Sequence, residues 1–142
     1  MVLTEPSTIM ETTLDLIVRP TEIDVNGHVN NAKFIEYLEW GREEWYEHNQ
    51  LPYDRLLAMG AATVTVNLNV NYRRECRQGE TLTVATRPER LGRTSFSFYQ
   101  EIRAADGTVA VDAVVTLVTI DPESRRPRVV PPELAKAIED RS

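Results

Sequence analysis

The chain has 142 residues, 42% hydrophobic and 27% charged, the balance of one globular domain rather than of a disordered segment. Its 16 Lys and Arg against 22 Asp and Glu leave a net charge of −6, which argues against nucleic acid as the main partner, because phosphate neutralisation calls for a basic face. The single Cys, Cys76, excludes an intrachain disulfide and makes a cytoplasmic location the expectation, while two His and one Cys cannot supply a Cys/His zinc cage.

The first twenty residues show no basic start followed by an apolar run. The longest apolar stretch, Val109–Ile120, is broken by Asp112 and is shorter than the ~20 residues that span a bilayer, so no membrane partner is expected. No phosphate-loop or dinucleotide pattern occurs among the six Gly, and neither a cofactor nor a metal is expected. Residues 1–142 read as one domain.

In chain order, Leu14, Leu16 and Val18 alternate with Asp15, Ile17 and Arg19 and predict a first strand that Pro20 ends. A long helix follows. Asn30 or Asn31 can cap it, and Phe34, Leu38, Gly41 and Trp45 form its apolar stripe. Gly41 costs ~1 kcal/mol against Ala inside a helix, which suggests close approach to a sheet. His48 falls just past this pattern and reads as a surface residue.

Val64, Val66, Leu68, Val70 and Tyr72 then alternate with Thr and Asn, the clearest strand in the chain. Thr81–Arg87 and Ser95–Arg103 predict two more strands, the second with Phe96, Phe98 and Ile102 on one face. Asp106-Gly107 predicts a hairpin turn into a last strand over Thr108–Ile120. A short helix is predicted from Pro132 to about Asp140. Short turns between successive strands favour an antiparallel sheet. One long helix covers one face only, so the other must be polar or buried by a second subunit, and a homo-oligomer is expected.

The chemistry-bearing segment is Thr21–Asn31, T-E-I-D-V-N-G-H-V-N-N. Asp24, Asn26 and His28 alternate, and in an extended segment they would point the same way. They are also ordinary turn and cap residues. As functional groups, a carboxylate can act as base or nucleophile, an imidazole can orient or shuttle a proton, and an amide can donate to a developing negative charge. The helix start that follows offers free N–H groups to an oxyanion.

A second cluster, Tyr72-Arg73-Arg74-Glu75-Cys76, ends the best strand. Glu75 among Arg73, Arg74 and Arg77 can be an ion-pair network, and Cys76 a small buried hydrophobe. Six Arg fall between Arg73 and Arg93, either as solvated strand ends or as an anion site.

Asp24-Val25-Asn26-Gly27-His28-Val29-Asn30-Asn31, followed by Phe34-Ile35-Glu36-Tyr37, closely resembles the plant-type acyl-carrier-protein thioesterases, whose motif reads D-x-N-x-H-V-N-N. Tyr72–Cys76 resembles their second motif. The resemblance implies an α+β hotdog fold, an antiparallel five- or six-stranded sheet wrapped around one long helix. It implies hydrolysis of an acyl thioester, acyl-CoA or acyl-ACP, with Asp24 as base or nucleophile. Asn26 and His28 would position water or substrate, Glu75 would be a further catalytic carboxylate, and the backbone N–H of Asn31 would polarise the thioester carbonyl.

The plant enzymes carry two hotdog repeats and this chain has one, so a homodimer or homotetramer would restore the pair. Single-hotdog relatives often act on coenzyme A thioesters, and Arg73, Arg74 and Arg77 could serve an acidic carrier or the coenzyme's phosphates. The hydratases and dehydratases of the same fold carry their His one residue later, where this chain has Val29. A non-catalytic acyl-thioester-binding module is a third reading. Trp40, Trp45, Tyr53, Leu56 and Met59 are candidates to close an acyl tunnel.

Overall fold

The computed structural model describes residues 11–141. Residues 1–10, half of the segment read above for a targeting signal, lie outside the described residues, as does Ser142. The order is β1 (Thr12–Ile17), a 3-10 turn (Pro20–Glu22), α1 (Asn31–His48), α2 (Tyr53–Ala58), β2 (Ala62–Tyr72), β3 (Thr81–Leu91), β4 (Ser95–Ala104), β5 (Val109–Ile120) and α3 (Pro132–Arg141). The five strands form one antiparallel sheet in the order β1-β3-β4-β5-β2. This sheet wrapped on α1 is the expected hotdog arrangement, with five strands.

Register fixes which side chains meet α1. Leu14 pairs with Val84, Val84 with Ile102, and Ile102 with Val111, one apolar row across four strands. With Leu82, Phe34, Tyr37 and Leu38 it forms the first half of the core. Phe96, Phe98, Val115 and Leu117 form the second half with Trp45, Leu134 and Ile138. The helix stripe read from the sequence is therefore the buried one: Phe34, Leu38, Gly41 and Trp45 all face the sheet.

Gly41 is needed for that contact. A Cβ built there would sit 2.6 Å from Val84 Cγ1, 2.8 Å from Thr86 Oγ1 and 3.1 Å from Gln100 Nε2. Gln100 is fully buried and donates to Leu38 O and to Thr86 Oγ1, both at 2.8 Å, while its oxygen accepts from Arg42 Nη1 at 3.1 Å. A polar bolt thus joins helix to sheet at the Gly41 contact. Burial pulls the Arg42 guanidinium below its ordinary pKa.

The opposite face of the sheet is largely polar. Thr83 donates to Asp15 at 2.7 Å, Arg103 pairs with Glu101 and Glu11, Arg73 pairs with Asp112, and Arg87 lies 4.7 Å over the Tyr99 ring.

Two elements differ from expectation. The alternation of β2 is interrupted: Thr65 pairs with Leu117 but Asn67 with Thr116, so Val66 is an extra residue. The bulge flips the pattern. Leu68 and Val70 pack inward beyond it, whereas Val64 pairs with outward-facing Val118 and Val66 is 56% exposed. The clearest strand in the sequence is consequently an exposed sheet edge. The second difference is α2, six residues after Pro52 and too short to leave a periodic signal.

His48 is the last residue of α1 and is exposed. Asp106-Gly107 makes the expected turn, with Gly107 at φ +88° and its N–H on Ala104 O at 2.9 Å. Among the described residues no helix is long and apolar enough to cross a membrane.

Candidate active site

The topology creates the site. Because β2 and β3 are not neighbours, residues 73–80 cross from one edge of the sheet toward the other. On the way they run beside the loop that leads into α1. Val29 N–H donates to Cys76 O at 2.8 Å, and His28 and Arg77 form an antiparallel bridge. The two motifs, more than forty residues apart in sequence, share one cleft of about 330 Å³. It is lined by Asp24, His28, Asn31, Phe34, Tyr72, Arg73, Arg74 and Glu75, together with Val29.

The Asp24–His28 segment is a turn, not an extended run. Ile23 and Val29 bridge across it, Asp24 N–H donates to His28 O at 2.8 Å, and Gly27 N–H donates to Asp24 O at 3.0 Å with φ +80°. Asp24 and His28 thus sit side by side across a tight hairpin. Asn26 is carried to its tip, where its side chain is exposed and does not line the cleft. Its backbone N–H holds Asp24 Oδ1 at 2.9 Å, leaving the other carboxylate oxygen available to a substrate or water.

His28 Nε2 lies 2.5 Å from Glu75 Oε2. The Glu75 side chain is 60% exposed, so the pair adds ~0–1 kcal/mol to stability; its chemical effect is to fix the imidazole.

The N-terminus of α1 closes the cleft. Asn30 is the cap: its Oδ1 takes Ala32 N–H at 2.8 Å and its carbonyl takes Lys33 N–H at 2.9 Å. Asn31, the first helical residue, lines the cleft, and helix geometry leaves a first-turn N–H without an intrahelical acceptor. The dipole end favours negative charge there.

The arginines divide. Arg73 donates to Asp112 at 2.8 Å, which holds that carboxyl below its usual range, and Arg74 donates to Glu80 at 3.2 Å; both also line the cleft. Arg77 is exposed beside it and does not line it. Cys76 is fully buried in the first half of the core, and burial, then the Glu80 charge, pushes its thiol up to about 11. It is a core residue, not a nucleophile.

Phe34, Tyr72 and Val29 also line the cleft, although the motifs that contain them give them no role there. Phe34 reads as helix stripe and Tyr72 as strand end, and only the crossover brings them together. A separate groove of about 730 Å³ runs along α1 and is lined in part by Trp40, Tyr53, Leu56 and Leu117. Of the other tunnel candidates, Trp45 is in the core and Met59 packs against it. Among the described residues no group of three or more His, Cys, Asp or Glu is placed to hold a metal ion.

Comparison with known proteins gives the family. The chain is 33% identical to the long-chain acyl-CoA thioesterase FadM of Escherichia coli K12 over 86% of this chain and 92% of that protein. The crystal structure of YbaW, a probable thioesterase from Escherichia coli, superposes with a TM-score of 0.80 at 32% identity, covering 90% of this chain and 96% of that one. A 1,4-dihydroxy-2-naphthoyl-CoA thioesterase from Synechocystis shares the fold, with a TM-score of 0.84 at 20% identity over 92% of this chain and 97% of that one. Residues 18–138 match the thioesterase-like superfamily, and the chain belongs to that superfamily.

Proposed function

We propose that this thioester hydrolase cleaves acyl-coenzyme A thioesters in the cleft between Asp24, His28 and the first turn of α1. The observation that carries the reading is the meeting of an available carboxylate oxygen with a helix N-terminus in one cleft. The acyl carbonyl is placed at the Asn31 N–H, where the developing oxyanion is stabilised. Asp24 takes a proton from the attacking water, or attacks the carbonyl itself to form a mixed anhydride that water then hydrolyses, releasing the acid and restoring the carboxylate. The C–S bond breaks as the tetrahedral intermediate collapses, and the thiolate leaves and is protonated. His28, held by Glu75, orients the nucleophile or the departing sulfur. Asn26 acts through its backbone, fixing the Asp24 rotamer.

Coenzyme A as carrier follows the relative FadM, named a long-chain acyl-CoA thioesterase. Arg73, Arg74 and Arg77 supply cationic surface for its phosphates. The groove past Trp40, Tyr53 and Leu56 accepts the acyl chain. The 11-residue edge strand β2, with Val64, Val66 and Tyr72 exposed, supports a homo-oligomer in which that edge is covered.

The test is thiol release from acyl-CoA of short to long chain, with the matching acyl-ACP in parallel. Hydrolysis of the CoA series supports the reading; hydrolysis of acyl-ACP alone moves the carrier, and hydrolysis of neither overturns the function. Labelled water in a single turnover probes the role of Asp24: label found in the Asp24 carboxylate shows an anhydride opened by water at the aspartyl carbonyl, whereas the general-base route puts all of the label in the released acid.

A further inference from the structure

Glu22 is a buried carboxylate that the mechanism above does not use. It is 7% exposed, and among the described residues no Lys or Arg side chain is hydrogen-bonded to it. Its Oε1 accepts from Tyr37 Oη at 2.8 Å and from Arg19 N–H at 2.9 Å. Its own carbonyl accepts the N–H of Asn30, the α1 cap, at 3.0 Å. Asp24 follows two residues later. One residue therefore ties together the end of β1, the cap that precedes the Asn31 N–H, and a point six residues into α1, while carrying the segment that presents Asp24.

Tyr37 is fitted to the same task. Its side chain is fully buried, with its ring 6.1 Å and edge-on to Phe34, which lines the cleft. Burial and the Glu22 bond raise the phenol well above its ordinary pKa, so it remains a donor. A buried carboxylate is costly unless its hydrogen bonds are kept, so the loop is held to one distance from the helix.

We propose that Glu22 and Tyr37 are positioning residues for thioester hydrolysis: their buried hydrogen bond sets the Asp24 carboxylate against the Asn31 N–H. This rests on the function proposed above. Misplacing reacting groups by about 1 Å can cost about 100-fold in rate, so loss of the bond is expected to act on kcat and leave KM within about twofold.

The test compares wild type, Tyr37→Phe and Glu22→Gln. Tyr37→Phe keeps the ring packing and removes only the donor; Glu22→Gln keeps an acceptor oxygen for both bonds. Steady-state kinetics on acyl-CoA would be read beside the infrared carbonyl band of a bound, non-hydrolysable ketone analogue of acyl-CoA. We expect Tyr37→Phe to lose about 10- to 100-fold in kcat and part of the carbonyl red shift, with Glu22→Gln retaining more of both. A lowered melting temperature with unchanged kcat and an unchanged band would make the pair merely structural and overturn the inference. If Glu22→Gln does not fold, Tyr37→Phe decides alone. A wild type that hydrolyses no thioester would overturn the functional reading and this inference with it; an active wild type beside a fully active Tyr37→Phe overturns only the inference.

Discussion

Gly41→Ala isolates the helix–sheet distance on which the fold depends. In an unconstrained helix the change would stabilise by ~1 kcal/mol. Here the new methyl meets Val84 Cγ1 at 2.6 Å, Thr86 Oγ1 at 2.8 Å and Gln100 Nε2 at 3.1 Å. None can retreat cheaply: Val84 and Thr86 belong to a central strand, and Gln100 Nε2 already makes two bonds at 2.8 Å. Overpacking costs ~2 kcal/mol and a weakened buried hydrogen bond ~1–2 more, leaving a net loss of about 2–3 kcal/mol after the propensity gain. For a domain of this size that lowers the melting temperature by ~7–10 °C. Thermal unfolding by circular dichroism measures it directly. A melting temperature equal to or above that of wild type would refute the reasoning, because α1 would then not lie as close to β3 and β4 as described.

The remaining predictions concern the site and its neighbours. Glu75→Ala is expected to reduce kcat by about 10-fold, less than the ~100-fold or more of a direct acid–base group because Glu75 acts through His28, while the unfolding free energy stays within ~1 kcal/mol because the pair with His28 is exposed; an unchanged rate would make Glu75 an ordinary ion-pair partner. Cys76 in the native protein should resist iodoacetamide at pH 8 and react once unfolded; rapid native labelling would contradict its burial. Its thiol is raised to about 11 when folded, against ~8.5 when unfolded. The stability this contributes is therefore complete below ~8.5 and lost as pH rises through about 11. Cys76→Ala should flatten that alkaline decline, and an identical slope in both proteins would contradict the assignment.

Much of the fold can be read directly from residues. The α1 stripe, Gly41, the Phe96/Phe98 face and the Asp106-Gly107 turn each rest on local spacing, and local spacing survives folding. The β2 bulge does not: Val64, Val66, Leu68 and Val70 alternate perfectly, yet an extra residue at Val66 turns the two halves to opposite faces. Pairing partners decide this, and they lie some fifty residues away in β5. The site divides the same way. Asp24, His28 and the Asn31 helix start are marked by residue type next to a cap. Asn26 reads as an inward side chain only if the segment is extended, and the Gly27 turn removes that condition. Glu22 gives no signal at all, since a Glu in a loop ordinarily faces water; its burial follows from Tyr37 reaching back from the second turn of α1.

Single-turnover thiol release from long-chain acyl-CoA, wild type against Asp24→Asn, tests most directly whether this cleft is the catalytic centre. The amide oxygen of Asn can still accept the Asn26 N–H that Asp24 Oδ1 holds at 2.9 Å, so the turn is preserved while the base is lost. We expect an unchanged circular dichroism spectrum and a rate lower by about 10³-fold, within the range for loss of a positioned base. An Asp24→Asn protein that folds normally and releases thiol at the wild-type rate would contradict the assignment of the reaction to Asp24 and its cleft.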